Sequence, residues 1–358
     1  MSEIESYEVA LVGAGPIGVE MAVALKREGV RYIHYDADQV GAAITRFPPQ
    51  TPFFSSPERI QIAGVPLQTD DQTKATREEY LTYLRCVVIQ FDLDINTYER
   101  VISVNAVGDE AEPRFRIESR DMNGATRIVE AGRVILSVGN MQVPRALGIL
   151  GEDLPHVSHY FGEAHTYFRR RLLIVGGKNS AVEAALRCYR AGVDVTLSYR
   201  RDEIPDKVKY WLRPEILSLF KSGDIGWRPR TAPVRIEPGR VALAPTDDDG
   251  APLADADPTW IDADFVLALT GYTQNTDLFE RVGVELVGEQ RRPAHDRRTM
   301  ETNIPGIHVI GTGSAGSERS VRVFIETSHV HVERVMAVIR GEPPTLDQPE
   351  PTFALPES

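Results

Sequence analysis

Val9-Ala10-Leu11-Val12-Gly13-Ala14-Gly15-Pro16-Ile17-Gly18 opens on four apolar residues and turns on three glycines. It then enters a stretch with Ile17, Met21 and Leu25 at helical spacing, closed by Gly29. A second apolar run, Tyr32-Ile33-His34-Tyr35, ends on Asp36. Strand, tight turn, helix and strand in this order read as a dinucleotide-binding unit. The first glycine permits the turn, the second lets a pyrophosphate approach the backbone, and the third lets helix and strand pack closely. The phosphates then rest on free amides at the positive end of the helix. A lone GxGxxG is weak evidence, but Asp36 follows Gly13 by 23 residues and ends the second strand, where a carboxylate accepts hydrogen bonds from a ribose diol. Gly13, Gly15, Pro16, Ile17 and Asp36 are therefore candidate nucleotide contacts. The competing reading is a glycine turn that only joins strand to helix.

The same grammar returns downstream. Leu172-Leu173-Ile174-Val175 leads into Gly176-Gly177-Lys178-Asn179-Ser180-Ala181, with Ser180 and Glu183 spaced as a capping box and Gly192 closing the helix. Here Lys178 replaces the middle glycine and Ala181 the third. The second strand, 193–198, runs into Tyr199-Arg200-Arg201, so guanidinium groups stand where the first unit has an acid. A carboxylate there would repel a 2′-phosphate, and arginine binds it with charge-assisted hydrogen bonds. The swap predicts NADPH rather than NADH, held by Gly176, Lys178, Asn179, Ser180, Tyr199, Arg200 and Arg201. Lys207 and Lys209 either add positive charge or form a solvated face, and two solvated surface arginines are the alternative for Arg200 and Arg201. Two dinucleotide sites in one chain point to a flavin that receives hydride from a nicotinamide.

Around these units the pattern predicts a helix over 76–91 and an antiparallel layer from 101–107, 115–119 and 127–130. A buried strand follows over 133–138, then weak alternation over 233–243, a turn at Asp247-Asp248-Asp249-Gly250 and a buried strand over 264–269. A strand over 307–311 and a helix over 321–340 complete the fold. The tail 341–358 carries Pro343, Pro344, Pro349, Pro351 and Pro356 and predicts disorder.

At 358 residues the chain has room for two domains, at roughly 100 to 200 residues each. With 40 Lys and Arg against 52 Asp and Glu, a net charge of −12 opposes nucleic-acid binding. No apolar run is long enough to span a membrane, residues 1–7 are too polar for a secretory signal, and a cytoplasmic protein is expected. Cys86 and Cys188 form no CxxC or metal-ligand spacing and read as buried, inert thiols; no metal is expected.

At residues 8–340 the sequence resembles the pyridine-nucleotide-disulfide oxidoreductase superfamily, and within it the thioredoxin-reductase-like flavoproteins. It is most similar to the bacillithiol disulfide reductase group. The resemblance rests on Phe53-Phe54-Ser55-Ser56, Gly151-Glu152-Asp153-Leu154-Pro155, His159-Tyr160-Phe161, Gly176-Gly177-Lys178-Asn179-Ser180, Thr270-Gly271-Tyr272 and Met300-Glu301-Thr302-Asn303. It implies an α/β fold of two Rossmann-like, three-layer ββα domains, with the NADPH domain inserted into a split FAD domain. The expected boundaries are 1–160 and 276–340 for the FAD domain and 161–275 for the insertion. It also implies that Gly139, with Val138, and Thr270-Gly271 turn the chain between domains, with Tyr272 following. Gln50, Thr51, Phe53, Phe54 and the helix start at Val321 to Phe324 are implied near the flavin, and Gly311 near its ribityl chain.

The departures bear on chemistry. The CxxC pair of thioredoxin reductases is absent. Ile17 occupies the position of the cysteine of the bacillithiol disulfide reductase group, and isoleucine forms no mixed disulfide. Thr312 follows Gly311 where the superfamily has an aspartate. His331 matches a histidine of the similar group and is the one candidate proton donor, with a core or solvent-facing histidine as the alternative; His159 and His165 read as packing residues. The expected function is NADPH-dependent FAD reduction that passes electrons to a low-molecular-weight disulfide or other small acceptor. A thioredoxin-like protein is a further candidate partner, in a homodimer or tetramer. Two alternatives compete. A flavin monooxygenase would need F-x-G-x-x-x-H before the second turn, which Phe161-Gly162-Glu163-Ala164-His165 does not supply. A redox sensor would bind both cofactors without turnover.

Overall fold

The computed structural model describes residues 4–107, 114–318 and 322–343. Val321 and the proline-rich tail from 344 lie outside the described residues. The chain packs into two compact units. One takes the chain up to Thr45, Gln50–Val143 and the chain from Tyr272 onward; the other takes Pro144–Gly271 with Arg46–Pro49. The insertion thus begins well before residue 161, because the strand Val157–Ser158 pairs in parallel with Phe265–Ala268 inside its sheet.

The first unit is organised by one long strand, Thr126–Leu136. Its last residues lie between Glu5–Val12 and Ile307–Val309, all parallel, with Tyr32–Tyr35 beyond Glu5–Val12. Its first half pairs antiparallel with Phe115–Asp121, which pairs with Glu99–Ala106. The stretches 127–130 and 133–138, expected as separate strands, are therefore one strand with two sets of partners. Gly132 lies between the halves, where a Cβ would sit 3.3 Å from the Glu8 carbonyl. Ala10, Leu11, Val134, Ile135, Leu136 and Val309 are fully buried, as a parallel sheet covered on both faces requires.

The helix Pro16–Arg27 starts with proline in its first turn, buries Ile17, Met21 and Leu25, and packs against the closing helix Ile325–Ile339. The helix expected over 76–91 is Arg77–Gln90, held by reciprocal bonds between Thr76 and Glu79. Cys86 on this helix is exposed, against expectation, because it falls on the outer face.

The second unit is built on a five-stranded parallel sheet in the order Gly226–Pro229, Asp194–Tyr199, Arg171–Val175, Phe265–Ala268, Val157–Ser158. The helix Asn179–Arg190 buries Ala181, Val182, Ala184, Ala185, Leu186 and Cys188. Burial pushes the Cys188 thiol up to about 12. The expected Ser180–Glu183 capping box does not form: Lys178 is the N-cap, so Ser180 already lies inside the helix. Residues 233–243 form two strands, since Pro238-Gly239, with Gly239 at φ 82°, splits the stretch. Thr231–Glu237, Arg240–Pro245 and Thr259–Asp262 make an antiparallel layer. Each unit therefore combines a parallel sheet, a helix layer and an antiparallel ladder. No described helix is long and apolar enough to cross a membrane.

Candidate functional site

In the first turn two glycines answer to packing and one does not. Gly13 sits at φ 105°, its amide donates to the Tyr35 carbonyl at 2.7 Å, and a Cβ on it would lie 2.3 Å from the Ser137 carbonyl. A Cβ on Gly18 would lie 1.9 Å from the Gly13 carbonyl. Gly15, at φ −70°, has an ordinary backbone, and a Cβ added there meets nothing within 4 Å. The fold places no demand for glycine at 15; the cradle beside the helix start is what a pyrophosphate would fill.

Asp36 closes the turn. One carboxylate oxygen accepts from the Ala14 amide at 2.5 Å and the other from the Asp38 amide at 2.8 Å. Burial raises its pKa, while the two amides pull the other way. Each oxygen keeps a lone pair for a diol.

Three strand ends meet at this point. A Cβ on Gly139, at φ 72°, would lie 3.7 Å from Thr312 Oγ1, and one on Gly313 would lie 3.3 Å from the Gly139 amide. One on Gly311 would lie 3.4 Å from the Ile17 Cβ. Gly13, Ile17, Gly139 and Gly311 thus gather at the carboxyl ends of adjacent parallel strands, the crevice in which open α/β sheets bind ligands. Buried polar side chains pin it. His34 Nε2 donates to the Gly13 carbonyl at 3.0 Å, and the Gly311 amide donates to His331 Nδ1 at 3.1 Å. Gln274 Nε2 donates to the carbonyls of Gly139 at 3.1 Å and Gly313 at 2.7 Å. His331 is fully buried, and its Nδ1 carries no proton to give while it accepts from Gly311. His34 and Gln274 escape sequence reading. The one available signal is a histidine inside an otherwise apolar strand, directly before Tyr35-Asp36.

The remaining first-unit candidates lie on a separate segment. Gln50, at φ 58°, donates its amide to Glu78, and the Thr51 carbonyl accepts from the Arg77 amide, which ties both to the start of the helix Arg77–Gln90. Phe53 packs on Tyr80 with ring centroids 4.6 Å apart. Phe54 is exposed, with the Lys74 ammonium over its ring and bonded to its carbonyl. Phe324 caps the closing helix, its amide bonded to Thr327 Oγ1 at 2.9 Å. His329 joins that helix to the rest: Nδ1 meets Glu20 at 2.7 Å and Nε2 the Arg59 carbonyl at 3.1 Å.

The second turn keeps the geometry and reverses the charge. Gly176, at φ 141°, donates its amide to the Ser198 carbonyl, and a Cβ there would lie 2.5 Å from the Leu269 carbonyl. The Tyr199 ring covers Gly177, leaving no room for a side chain. Lys178 heads the helix, and its pKa is lowered by burial and then by Arg200, Arg145 and Lys207. Four cationic side chains therefore share one locality. Among the described residues no carboxylate pairs with the guanidinium of Arg145, Arg200 or Arg201. The stem of Arg200 lies over Gly250, so the Asp247–Gly250 turn sets its direction. Arg201 is exposed and is not among the charges acting on Lys178. Arg145 was missed because it lies far from the motif in sequence. Its amide donates to the Gly271 carbonyl and its carbonyl accepts from Thr270 Oγ1, which brings it in. Asn179 Oδ1 accepts from the Lys209 amide at 2.7 Å. Lys209 does not add free charge: it is buried against Glu183 at 3.0 Å. Tyr272 packs with the first unit rather than with this turn.

A family model described as pyridine nucleotide-disulphide oxidoreductase matches residues 10–311. The chain is 32% identical over 330 residues to a bacilliredoxin reductase Bdr of Bacillus subtilis (strain 168), covering 92% of this chain and 96% of that one. Among solved structures it superposes with a TM-score of 0.86 on the bacillithiol disulfide reductase Bdr (YpdA) of Bacillus cereus, at 30% identity over 94% of this chain and 99% of that one. With the thioredoxin reductase of T. acidophilum the TM-score is 0.69 at 17% identity over 94% and 99%, a likeness of fold. The chain is an oxidoreductase that uses FAD and NADPH. With most of its length matched and both glycine turns in place, it belongs to the pyridine nucleotide-disulphide oxidoreductase family.

Proposed function

We propose that the first unit holds FAD, the second holds NADPH, and the electrons go to a low-molecular-weight disulfide of the bacillithiol type. The observation that carries this reading is the opposite chemistry of the two turns. The first offers Asp36 and an open cradle at Gly15; the second offers Lys178, Arg200, Arg145 and Lys207 around its helix start. Bound flavin supplies the relay that accepts a hydride from NADPH and delivers two electrons to the disulfide, which takes two protons and leaves as two thiols.

The protein's own residues bind and orient. Gly13, Gly15, Pro16 and the helix-start amides receive the FAD pyrophosphate, and Asp36 receives a ribose diol. Gly139 and Gly311 let the backbone come close to the rest of the cofactor, with Gln50, Thr51, Phe54 and Phe324 completing its surroundings. In the second unit Gly176, Asn179 and Ser180 receive the pyrophosphate, and Lys178, Arg200 and Arg201 the 2′-phosphate. Tyr199, Thr270 and Gly271 complete that binding set. Ile17 supplies no sulfur, so the acceptor is reduced at the flavin without a cysteine relay at this position. His331 holds the Gly311 turn through Nδ1. We assign the protein to the cytoplasm, as a homodimer or tetramer, with a thioredoxin-like protein as a further acceptor.

Visible spectra before and after anaerobic NADPH test the cofactors: a yellow protein that bleaches supports them, and a colourless chain that takes up no flavin overturns the reading. Recovery of colour on adding bacillithiol disulfide or a thioredoxin-like protein supports a disulfide acceptor, and recovery with quinone or oxygen alone overturns it.

A further inference from the structure

Gln274 is 6% exposed, and among the described residues its side-chain carbonyl Oε1 has no hydrogen-bond partner. The rest of the residue is fully engaged. Nε2 spends both hydrogens on the Gly139 and Gly313 carbonyls, and the backbone amide donates to Ser317 Oγ at 2.9 Å. The amide plane is therefore fixed from two sides, and Oε1 cannot rotate towards solvent or exchange places with Nε2 without facing two carbonyls. A buried acceptor left without a donor costs about 1–3 kcal/mol, and native proteins keep few of them. This one lies between the two strand-end turns that border the crevice described above.

We propose that Gln274 is a cofactor-binding residue whose Oε1 accepts a hydrogen bond from a hydroxyl or imide N–H of the flavin, which supplies the donor this acceptor lacks. The inference rests on the reading that the first unit holds FAD. Its two polar atoms do separable work. Nε2 clips the turns together whether or not a ligand is present, and Oε1 acts only when one is.

Gln274→Glu keeps an acceptor and gives up the clip; Gln274→Met gives up both in a side chain of similar length. Both variants are expected to lower the melting temperature of the flavin-free protein, Gln274→Glu by more, because its second carboxyl oxygen faces the two carbonyls that Nε2 held. FAD affinity, followed by quenching of flavin fluorescence, is expected to fall about tenfold or more in Gln274→Met relative to Gln274→Glu, the fold-change of about 1.4 kcal/mol. Equal affinities in the two variants would overturn the proposal and leave Gln274 a structural clip. Should either variant fail to fold, the wild-type protein decides. With glutamine labelled at the side-chain carbonyl, the Gln274 C=O infrared band is expected to move to lower frequency on adding FAD, and an unmoved band counts against it. Failure of the wild-type protein to bind FAD at all is the distinct outcome that would sink the underlying reading.

Discussion

His34 donates through Nε2 to the carbonyl oxygen of Gly13, 3.0 Å away, from a position with no solvent exposure. The first glycine of the turn is thus held by a side chain two residues before Asp36, and the bond requires a proton on Nε2, which places the neutral ring's single proton there rather than on Nδ1. Burial pushes the His34 pKa down to about 4 from the usual 6.5. Protonation therefore favours the unfolded chain. The contribution is fully present above pH 6.5 and is lost as pH falls from 6.5 towards 4, by about 3 kcal/mol at most. Buried His308, also lowered, acts in the same direction.

We predict that His34→Leu flattens part of the pH dependence of stability between 6.5 and 4 and costs about 1–3 kcal/mol at pH 7, because the Gly13 carbonyl loses its donor. Urea unfolding at a series of pH values checks this. An unchanged slope would remove His34 from the account.

Gly15→Ala separates cofactor binding from folding. Its backbone angles are open to alanine and the added methyl meets nothing, so the flavin-free protein should keep its stability within about 0.5 kcal/mol. FAD affinity should fall at least tenfold, since the methyl fills the cradle. Gly13→Ala, with its Cβ driven against the Ser137 carbonyl, should instead destabilise the protein with or without flavin. Paired melting curves with and without FAD report both.

For nucleotide choice, Arg200→Ala is expected to raise the KM for NADPH by about tenfold to a hundredfold, the loss of a charge-assisted phosphate contact, and to spare NADH. Arg201→Ala should have a smaller effect, because of these two arginines Arg200 alone acts on the Lys178 ammonium. Steady-state kinetics with both nucleotides decide it: equal effects on NADPH and NADH would refute a phosphate site.

Ile17→Cys should raise the rate of low-molecular-weight disulfide reduction if the acceptor approaches over the first turn. The side chain is 4% exposed and lies against Gly311, so the thiol is expected to work only in the presence of a seated flavin. Turnover with bacillithiol disulfide, compared with turnover using quinone, is the measurement. No selective gain for the disulfide would mean that Ile17 marks another acceptor.

Much of this is legible in the amino-acid sequence. Apolar runs of four residues, glycines at fixed offsets and the contrast of Asp36 with Arg200 are local signals, and the strands and turns that carry them form at the expected positions. What stayed hidden was long-range. Arg145 joins the cationic turn through Thr270 and Gly271, and Gln274 reaches Gly139 from the far side of an inserted unit. Neither has a neighbour in sequence that betrays it. The Ser180–Glu183 spacing misled because the helix starts two residues early, with Asn179 tied to Lys209 and Glu183 drawn to the Lys209 ammonium. Residues 127–138 misled because polar alternation and an apolar run, usually the marks of different sheets, belong here to one strand.

That shared strand carries a consequence for the order of assembly. Glu99–Ala106, Phe115–Asp121 and Thr126–Leu136 follow one another closely, so their antiparallel pairing closes short loops and can form early. The apolar end of the last strand is then left as a template, to be flanked by Glu5–Val12 and Ile307–Val309 arriving from opposite ends of the chain. Until the second arrives, one edge of the nascent sheet stays open, a window in which a growing chain would depend on protection against sticking to its neighbours.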